Sequence, residues 1–218
     1  MAEEAGISFL SGIILAAGAS SRMGRPKQLL PLRGRPLLQH VLDEAIASRL
    51  DEVVLVLGNQ ADEVRGALAL PEGSRVRVVV NADWARGQST SLRLALRRAR
   101  PSAAAAAILL GDQPGVEAAL IDRVATAFLD AGLPAARPVY SGADGSRVPG
   151  HPVFLARRIW SEVDELGGDE GARALLAARA DWLLEVPVEG EPPPDIDTWE
   201  DYQRAGAAGP VARGSERG

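Results

Sequence analysis

A short apolar run, Ile13 to Ala16, leads into Ala17-Gly18-Ala19-Ser20-Ser21-Arg22-Met23-Gly24-Arg25-Pro26-Lys27. The run reads as a buried strand. Gly18 and Gly24 let backbone N–H groups come close to a ligand. Arg22, Arg25 and Lys27 then place fixed positive charge beside that turn, an arrangement suited to holding polyphosphate. The spacing matches neither G-x-G-x-x-G nor G-x-x-x-x-G-K followed by Ser or Thr. A glycine-rich turn with surface cations needs no function. Against that stands Lys27, the only lysine among 24 Lys and Arg residues. A compact ammonium on a flexible stem is not interchangeable with a guanidinium fork.

Other polar clusters also follow apolar runs. Asp112 follows Ala104 to Leu110, within Gly111-Asp112-Gln113-Pro114. A carboxylate at such a strand end can hold Mg²⁺, and it can equally form an ordinary turn. Asp197 within Asp195-Ile196-Asp197-Thr198 reads from local structure as a helix cap, with Glu200 three residues later. Asn81 to Ser91 is a polar loop, and Ser89 and Ser91 are expected to cap the helix it feeds. His151 reads as a loop residue, His40 as structural, and Trp84, Trp160, Trp182 and Trp199 as packing.

The elements that must carry these clusters alternate. Strands are expected at Val53–Leu57, Val76–Val80, Ala104–Leu110 and Leu183–Val188, the all-apolar ones covered on both faces. Helices are expected at Pro36–Ser48, Ala61–Leu68, onward from Ser91 to about Arg98, and at Glu117–Ala131, Ala156–Glu165, Glu170–Ala180 and Thr198–Ala205. Ala136–Tyr140 and Pro152–Leu155 flank Ala143-Asp144-Gly145, a hairpin turn signal. The pattern predicts a single α/β domain over 1–205, with a mainly parallel mixed sheet between helices. Residues 206–218 read as a flexible tail. In an open α/β sheet, ligands bind beyond the carboxyl ends of the strands. The Ala17–Lys27, Asn81–Ser91 and Gly111–Pro114 clusters all fall there.

Composition narrows the function. Zero cysteines exclude disulfides and thiol chemistry, and fit a cytoplasmic setting. The start, Met1-Ala2-Glu3-Glu4, lacks the basic region of a signal peptide. A net charge of −5 argues against general nucleic-acid or membrane binding, so an anionic substrate must meet a local positive patch.

Leu15-Ala16-Ala17-Gly18, Arg22-Met23-Gly24 and Pro26-Lys27-Gln28 together resemble the signature loop of the nucleotidyltransferase superfamily, and within it the molybdenum-cofactor cytidylyltransferases. The resemblance runs from Ile13 to about Tyr202. It departs at Trp199, where relatives often have Pro. It implies a Rossmann-like nucleotidyltransferase fold and transfer of CMP from CTP to a phosphorylated pterin, with pyrophosphate released and Mg²⁺ as cofactor. A molybdoenzyme would receive the product. Leu15, Ala16, Ala17, Gly18, Arg22, Lys27, Gly87, Gln88, Ser89 and Asp112 would bind the nucleotide, with Arg22 and Lys27 catalytic. Asp112 and Asp197 would hold the metal, and His151 and Gly171 would border the acceptor. Guanylyl relatives carry Leu-Ala-Gly-Gly, so Ala17 favours a pyrimidine. Guanylyl transfer to the pterin, transfer to another acceptor (methylerythritol phosphate, sugar phosphate or phospholactate), a non-catalytic cofactor carrier and a nicotinamide-dependent reductase remain alternatives.

Overall fold

The central strands bury both faces, and this sets the architecture. The computed structural model describes residues 8–142, 144–177 and 179–207. In chain order the elements begin with β1 (Phe9–Ala16), β2 (Pro31–Leu32), β3 (Arg35–Pro36), α1 (Leu37–Ala47) and β4 (Glu52–Leu57). There follow α2 (Ala61–Ala67), β5 (Val76–Val80), α3 (Gln88–Arg98), β6 (Ala103–Leu110) and α4 (Ala118–Ala131). The chain ends with β7 (Ala135–Ser141), β8 (Arg147–Pro149), β9 (Val153–Ala156), α5 (Ala172–Ala177), β10 (Leu183–Glu189) and α6 (Trp199–Ala207).

One eight-stranded sheet has the order β10-β7-β9-β6-β1-β4-β5, with β8 paired to β7. β1, β4, β5 and β6 run parallel, as do β7 and β10, while β9 lies antiparallel between β6 and β7. The mainly parallel mixed sheet is therefore as expected. Strand alternation feeds two cores. Ile14, Ala16, Leu55 and Ala107 join Leu38 and Leu42 of α1 and Val124 and Phe128 of α4. Ile13, Leu15, Val56 and Ile108 join Leu92 and Leu96 of α3 and Leu176 of α5.

Several boundaries differ from the sequence pattern. The turn folds β8 back onto β7, while the 152–155 segment, as β9, pairs antiparallel with the start of β7 (Ala135 with Leu155, Ala136 with Phe154) and on its other side with β6. The reason is size: Ala107 of β6 lies in register with Phe154, a fully buried ring tilted 30° against Phe128 with centroids 5.5 Å apart. The alanines of β6 leave room for that ring, and so the strand is central despite its low β-propensity. Ala143 of the expected turn lies outside the described residues. The β2–β3 ribbon has no signal in the apolar pattern; its two-residue turn uses Arg33 and Gly34, both at positive φ (50° and 81°). Arg157–Glu165 is a 3-10 helix, and α5 is shorter than expected. α6 extends two residues past the expected boundary at 205, and 208–218 lie outside the described residues. Among the described residues no helix is long and apolar enough to cross a membrane.

Candidate functional site

Beyond the end of β1, the chain turns through two 3-10 segments, Ser21–Met23 and Lys27–Leu29. Ser20 and Gly24 sit at positive φ, 53° and 66°. Gln28 holds the loop in shape. Its Nε2 donates to the carbonyls of Ala16 (3.0 Å) and Gly18 (3.3 Å), and its Oε1 accepts from Ser20 Oγ. Ser20 Oγ also accepts from the Lys27 N–H at 3.1 Å. The Gln28 side chain is thus spent on backbone oxygens that would otherwise lack partners. Its signal in the sequence is its place in the Pro26-Lys27-Gln28 run, which does not tell what the side chain bonds.

At one end of this loop the charged groups converge. Lys27 Nζ donates to Asp112 Oδ2 at 2.6 Å and to Asp197 Oδ1 at 2.7 Å, and Arg22 Nη2 donates to Asp197 Oδ2 at 2.9 Å. Burial alone would lower the Lys27 ammonium; the charges and hydrogen bonds of Asp112 and Asp197 overcome it and raise its pKa. Burial likewise opposes ionisation of Asp197, and Lys27 and Arg22 still hold its carboxyl below the ordinary value. Asp195 moves the other way. Burial and its neighbours Asp112 and Asp197 raise it, although Gln113 Nε2 donates to its Oδ1 at 2.6 Å.

Asp197 does not cap α6. Thr198 and Asp201 bond reciprocally: Asp201 Oδ2 accepts from Thr198 N–H (2.9 Å) and Oγ (2.7 Å), and Thr198 Oγ accepts from Asp201 N–H. The capping box therefore starts one residue later than the sequence suggests. Asp197 is left to face the cations. The Ile196 N–H donates to the Asp112 carbonyl at 3.0 Å, which ties this segment to the end of β6.

From the charged end a cavity of about 500 Å³ runs along the carboxyl ends of β1 and β6. Of the expected nucleotide residues, Leu15, Ala16, Ala17, Gly18, Lys27, Gly87, Gln88 and Asp112 line it. Ser89 does not. It is fully buried; its N–H donates to the Gly168 carbonyl and its Oγ accepts from Arg93. Ser91 lines the wall in its place, with its Oγ held by Asn81 Nδ2 at 2.9 Å. Neither serine caps α3, whose N-cap is Gly87 without a side-chain bond. A Cβ on Gly87, at φ 107°, would lie 2.2 Å from the Gly168 backbone, so the α3 entry and the 167–171 loop meet where only glycine fits.

Arg22 stands outside the cavity lining and reaches the site through Asp197. Gly171 abuts Gln88: a Cβ there would be 2.6 Å from Gln88 Oε1. His151 lies off the cavity, within electrostatic reach of Asp112 and Arg173. Desolvation holds its imidazole at about 4, opposed by Asp112 and reinforced by Arg173. His40 is structural, as expected, its Nε2 2.7 Å from the Leu32 carbonyl. Trp84, Trp160 and Trp182 pack against the second core as expected, and Trp84 also lines the cavity; Trp199 is 43% exposed and meets Tyr202 edge-on.

The residues present suit a divalent ion. Asp112 Oδ1 is buried and has no hydrogen-bond partner among the described residues, and Oδ2 shares its cation with Asp197. Among the described residues no cluster of three or more His, Cys, Asp or Glu side chains forms a closed cage. Mg²⁺ characteristically takes one or two carboxylates and completes its shell with phosphates and water.

Residues 12–182 match the model of the MobA-like NTP transferase domain. Nicotine blue oxidoreductase of Paenarthrobacter nicotinovorans is 34% identical over 204 residues, covering 89% of this chain and 95% of that protein. Purine catabolism protein PucB of Bacillus subtilis is 35% identical over 206 residues, covering 89% and 94%. The crystal structure of Rv0371c from Mycobacterium tuberculosis superimposes with a TM-score of 0.80 at 36% identity, covering 92% of this chain and 98% of that one. A complex of Rv0371c with manganese gives 0.76 at 35% identity, covering 92% and 99%.

Proposed function

We propose, from the premise that this chain belongs to the MobA-like NTP transferase family, that it transfers CMP from CTP to the phosphate of a molybdenum–pterin cofactor and releases pyrophosphate. The observation that carries this is the single cavity joining the glycine loop, Lys27 and Asp112 at one end to Gly87, Gln88 and Ser91 at the other. A polyphosphate fits the first end and a base the second. Ala17 also lines this cavity, and its place where guanylyl-type relatives carry glycine supports a pyrimidine.

In this reaction an acceptor phosphate oxygen attacks the α-phosphorus of CTP, and the bond from that phosphorus to the β-phosphate oxygen breaks. An ionised phosphate brings its own nucleophile, so no side chain has to remove a proton. The protein's task is to position and to neutralise. Lys27 holds the phosphates as negative charge moves onto the leaving pyrophosphate, and Arg22 adds positive charge at the edge of the site, where it pairs with Asp197. The loop backbone at Gly18 and Ala19 lies along the same wall, shaped by Gln28. Asp112 and Asp197 would hold Mg²⁺, which supplies charge neutralisation on phosphate oxygens when bound. The manganese complex of the mycobacterial relative supports a divalent ion. His151 and Gly171 border the acceptor, and the product passes to a molybdoenzyme.

A second reading, oxidoreduction, is favoured by the name of one relative. It lacks a G-x-G-x-x-G turn in this chain. The deciding experiment incubates the protein with Mg²⁺, each NTP in turn and molybdenum–pterin or the alternative phosphorylated acceptors. Products are identified by mass spectrometry, and NADPH absorbance is followed in parallel. Cytidylylated pterin and pyrophosphate are expected, and Asp112→Asn should fold normally and lose most turnover. Absence of pyrophosphate with every acceptor, or NADPH consumption in its place, would overturn the proposal.

A further inference from the structure

The two carboxylates assigned to the metal already hold a cation, and it comes from the protein itself. Of their four oxygens, Asp112 Oδ2 and Asp197 Oδ1 accept from Lys27 Nζ, and Asp197 Oδ2 accepts from Arg22. Only Asp112 Oδ1 is left over, buried and without a partner among the described residues. Lys27 and Asp112 both line the cavity, so the ammonium that the carboxylates hold borders the space where phosphates would lie. We infer that Lys27 is a resident counter-ion for the metal carboxylates, displaced when nucleotide phosphates draw it away, so that metal binds well only together with nucleotide.

The physical argument has three steps and rests on the nucleotidyl-transfer proposal. A divalent ion approaching the free protein meets an ammonium that occupies one oxygen of each carboxylate, and it suffers like-charge repulsion at close range. A triphosphate in the cavity offers that ammonium new acceptors, and its departure frees both oxygens while the phosphates supply further ligands. The exchange needs a compact charge on a flexible stem; the planar fork of an arginine would stay locked to a carboxylate. This accounts for a lone lysine in a chain that otherwise uses arginine. The device also has a use. Metal without nucleotide is kept out, and the two unpaired carboxylates are never left facing each other in the empty site.

The test measures Mn²⁺ binding to the full chain by loss of the free-ion electron paramagnetic resonance signal, with and without CTP. Wild type should bind Mn²⁺ weakly alone and much more tightly with CTP. Lys27→Met should bind Mn²⁺ without nucleotide at least about tenfold more tightly than wild type, and gain less from CTP. Circular dichroism confirms folding, and Lys27→Gln, which keeps length and hydrogen bonding, serves as a second neutral variant. Equal affinity of wild type and both neutral variants in the absence of CTP would overturn the counter-ion role. Asp112→Asn tests the underlying assignment separately. If it binds Mn²⁺ with CTP as tightly as wild type does, the metal site itself is misplaced and the inference falls with it.

Discussion

At the scale of single residues, two side chains in the cavity wall do work that their neighbours cannot do for them. Ala17 is 7% exposed, and its methyl is the only side-chain matter it adds to the wall. Ala17→Gly opens space beside the base, and the ratio of turnover with CTP to that with GTP should move toward GTP by about 1 kcal/mol, the scale of a small apolar contact. Parallel kcat/KM measurements with the two nucleotides check this, and an unchanged ratio would place base reading elsewhere. Gln28 is almost fully buried and satisfies two carbonyls of the loop. Gln28→Leu leaves the buried Ala16 carbonyl without this donor, which costs about 1–3 kcal/mol. A lowered urea midpoint with a raised KM for nucleotide is the expected pair of results. Loss of stability with KM intact would mean that the loop keeps its shape without this anchor.

At the scale of elements, the site depends on where α3 begins. Its first turn must pass against the Gly168 backbone, and Gly87 permits this by having a positive φ and no Cβ. Gly87→Ala adds both a strained φ and a backbone clash that no side-chain rotation relieves, so a loss beyond about 3 kcal/mol is expected. Gly132→Ala is the matched comparison. Its φ of 61° is similarly unfavourable, but nothing lies within 4 Å of the added methyl, so the loss should stay near 1 kcal/mol. Chemical denaturation of the two variants separates strain from clash. Comparable losses would mean that the loop around Gly168 yields easily, and that the α3 entry is not fixed by it.

At the scale of the whole molecule, acid sensitivity should trace to His151. Its folded pKa, about 4, lies well below the ordinary histidine value, chiefly because desolvation penalises the charged ring. The unfolded chain therefore binds the proton more readily, and stability falls as pH drops from about 6.5 toward 4. Above that interval the contribution is fully present. His151→Gln removes this term, so between pH 7 and pH 4.5 the metal-free variant should lose roughly 2 kcal/mol less stability than wild type. Thermal unfolding followed at several pH values measures it. Lys27 and Asp197 behave differently: the ammonium is raised and the Asp197 carboxyl lowered by their mutual attraction, so both stay ionised through the neutral range. Parallel loss of stability in both proteins would mean that His151 is hydrated in the folded state.

Much of this was legible in the residues, because the relevant forces are local or periodic. An apolar run covered on both faces, a glycine turn and a carboxylate after a strand each leave a mark within a few positions, so β1, β4, β6, Lys27 and Asp112 could be read directly. Long-range pairing leaves no such mark. That β9 sits beside β6 depends on Ala107 making room for Phe154. That Ser91, not Ser89, lines the cavity depends on a bond from Ser89 to Gly168 across the fold. Asp197 faces Lys27 across a separation of 170 residues. Thr198 and Asp201 close the helix end, and Asp197 is released from that duty. The residue types alone determined that a cation, a glycine loop and carboxylates would be available at strand ends. Only tertiary packing decided that the lysine and the carboxylates would satisfy one another, because a charge withdrawn from water is costly unless it is paired.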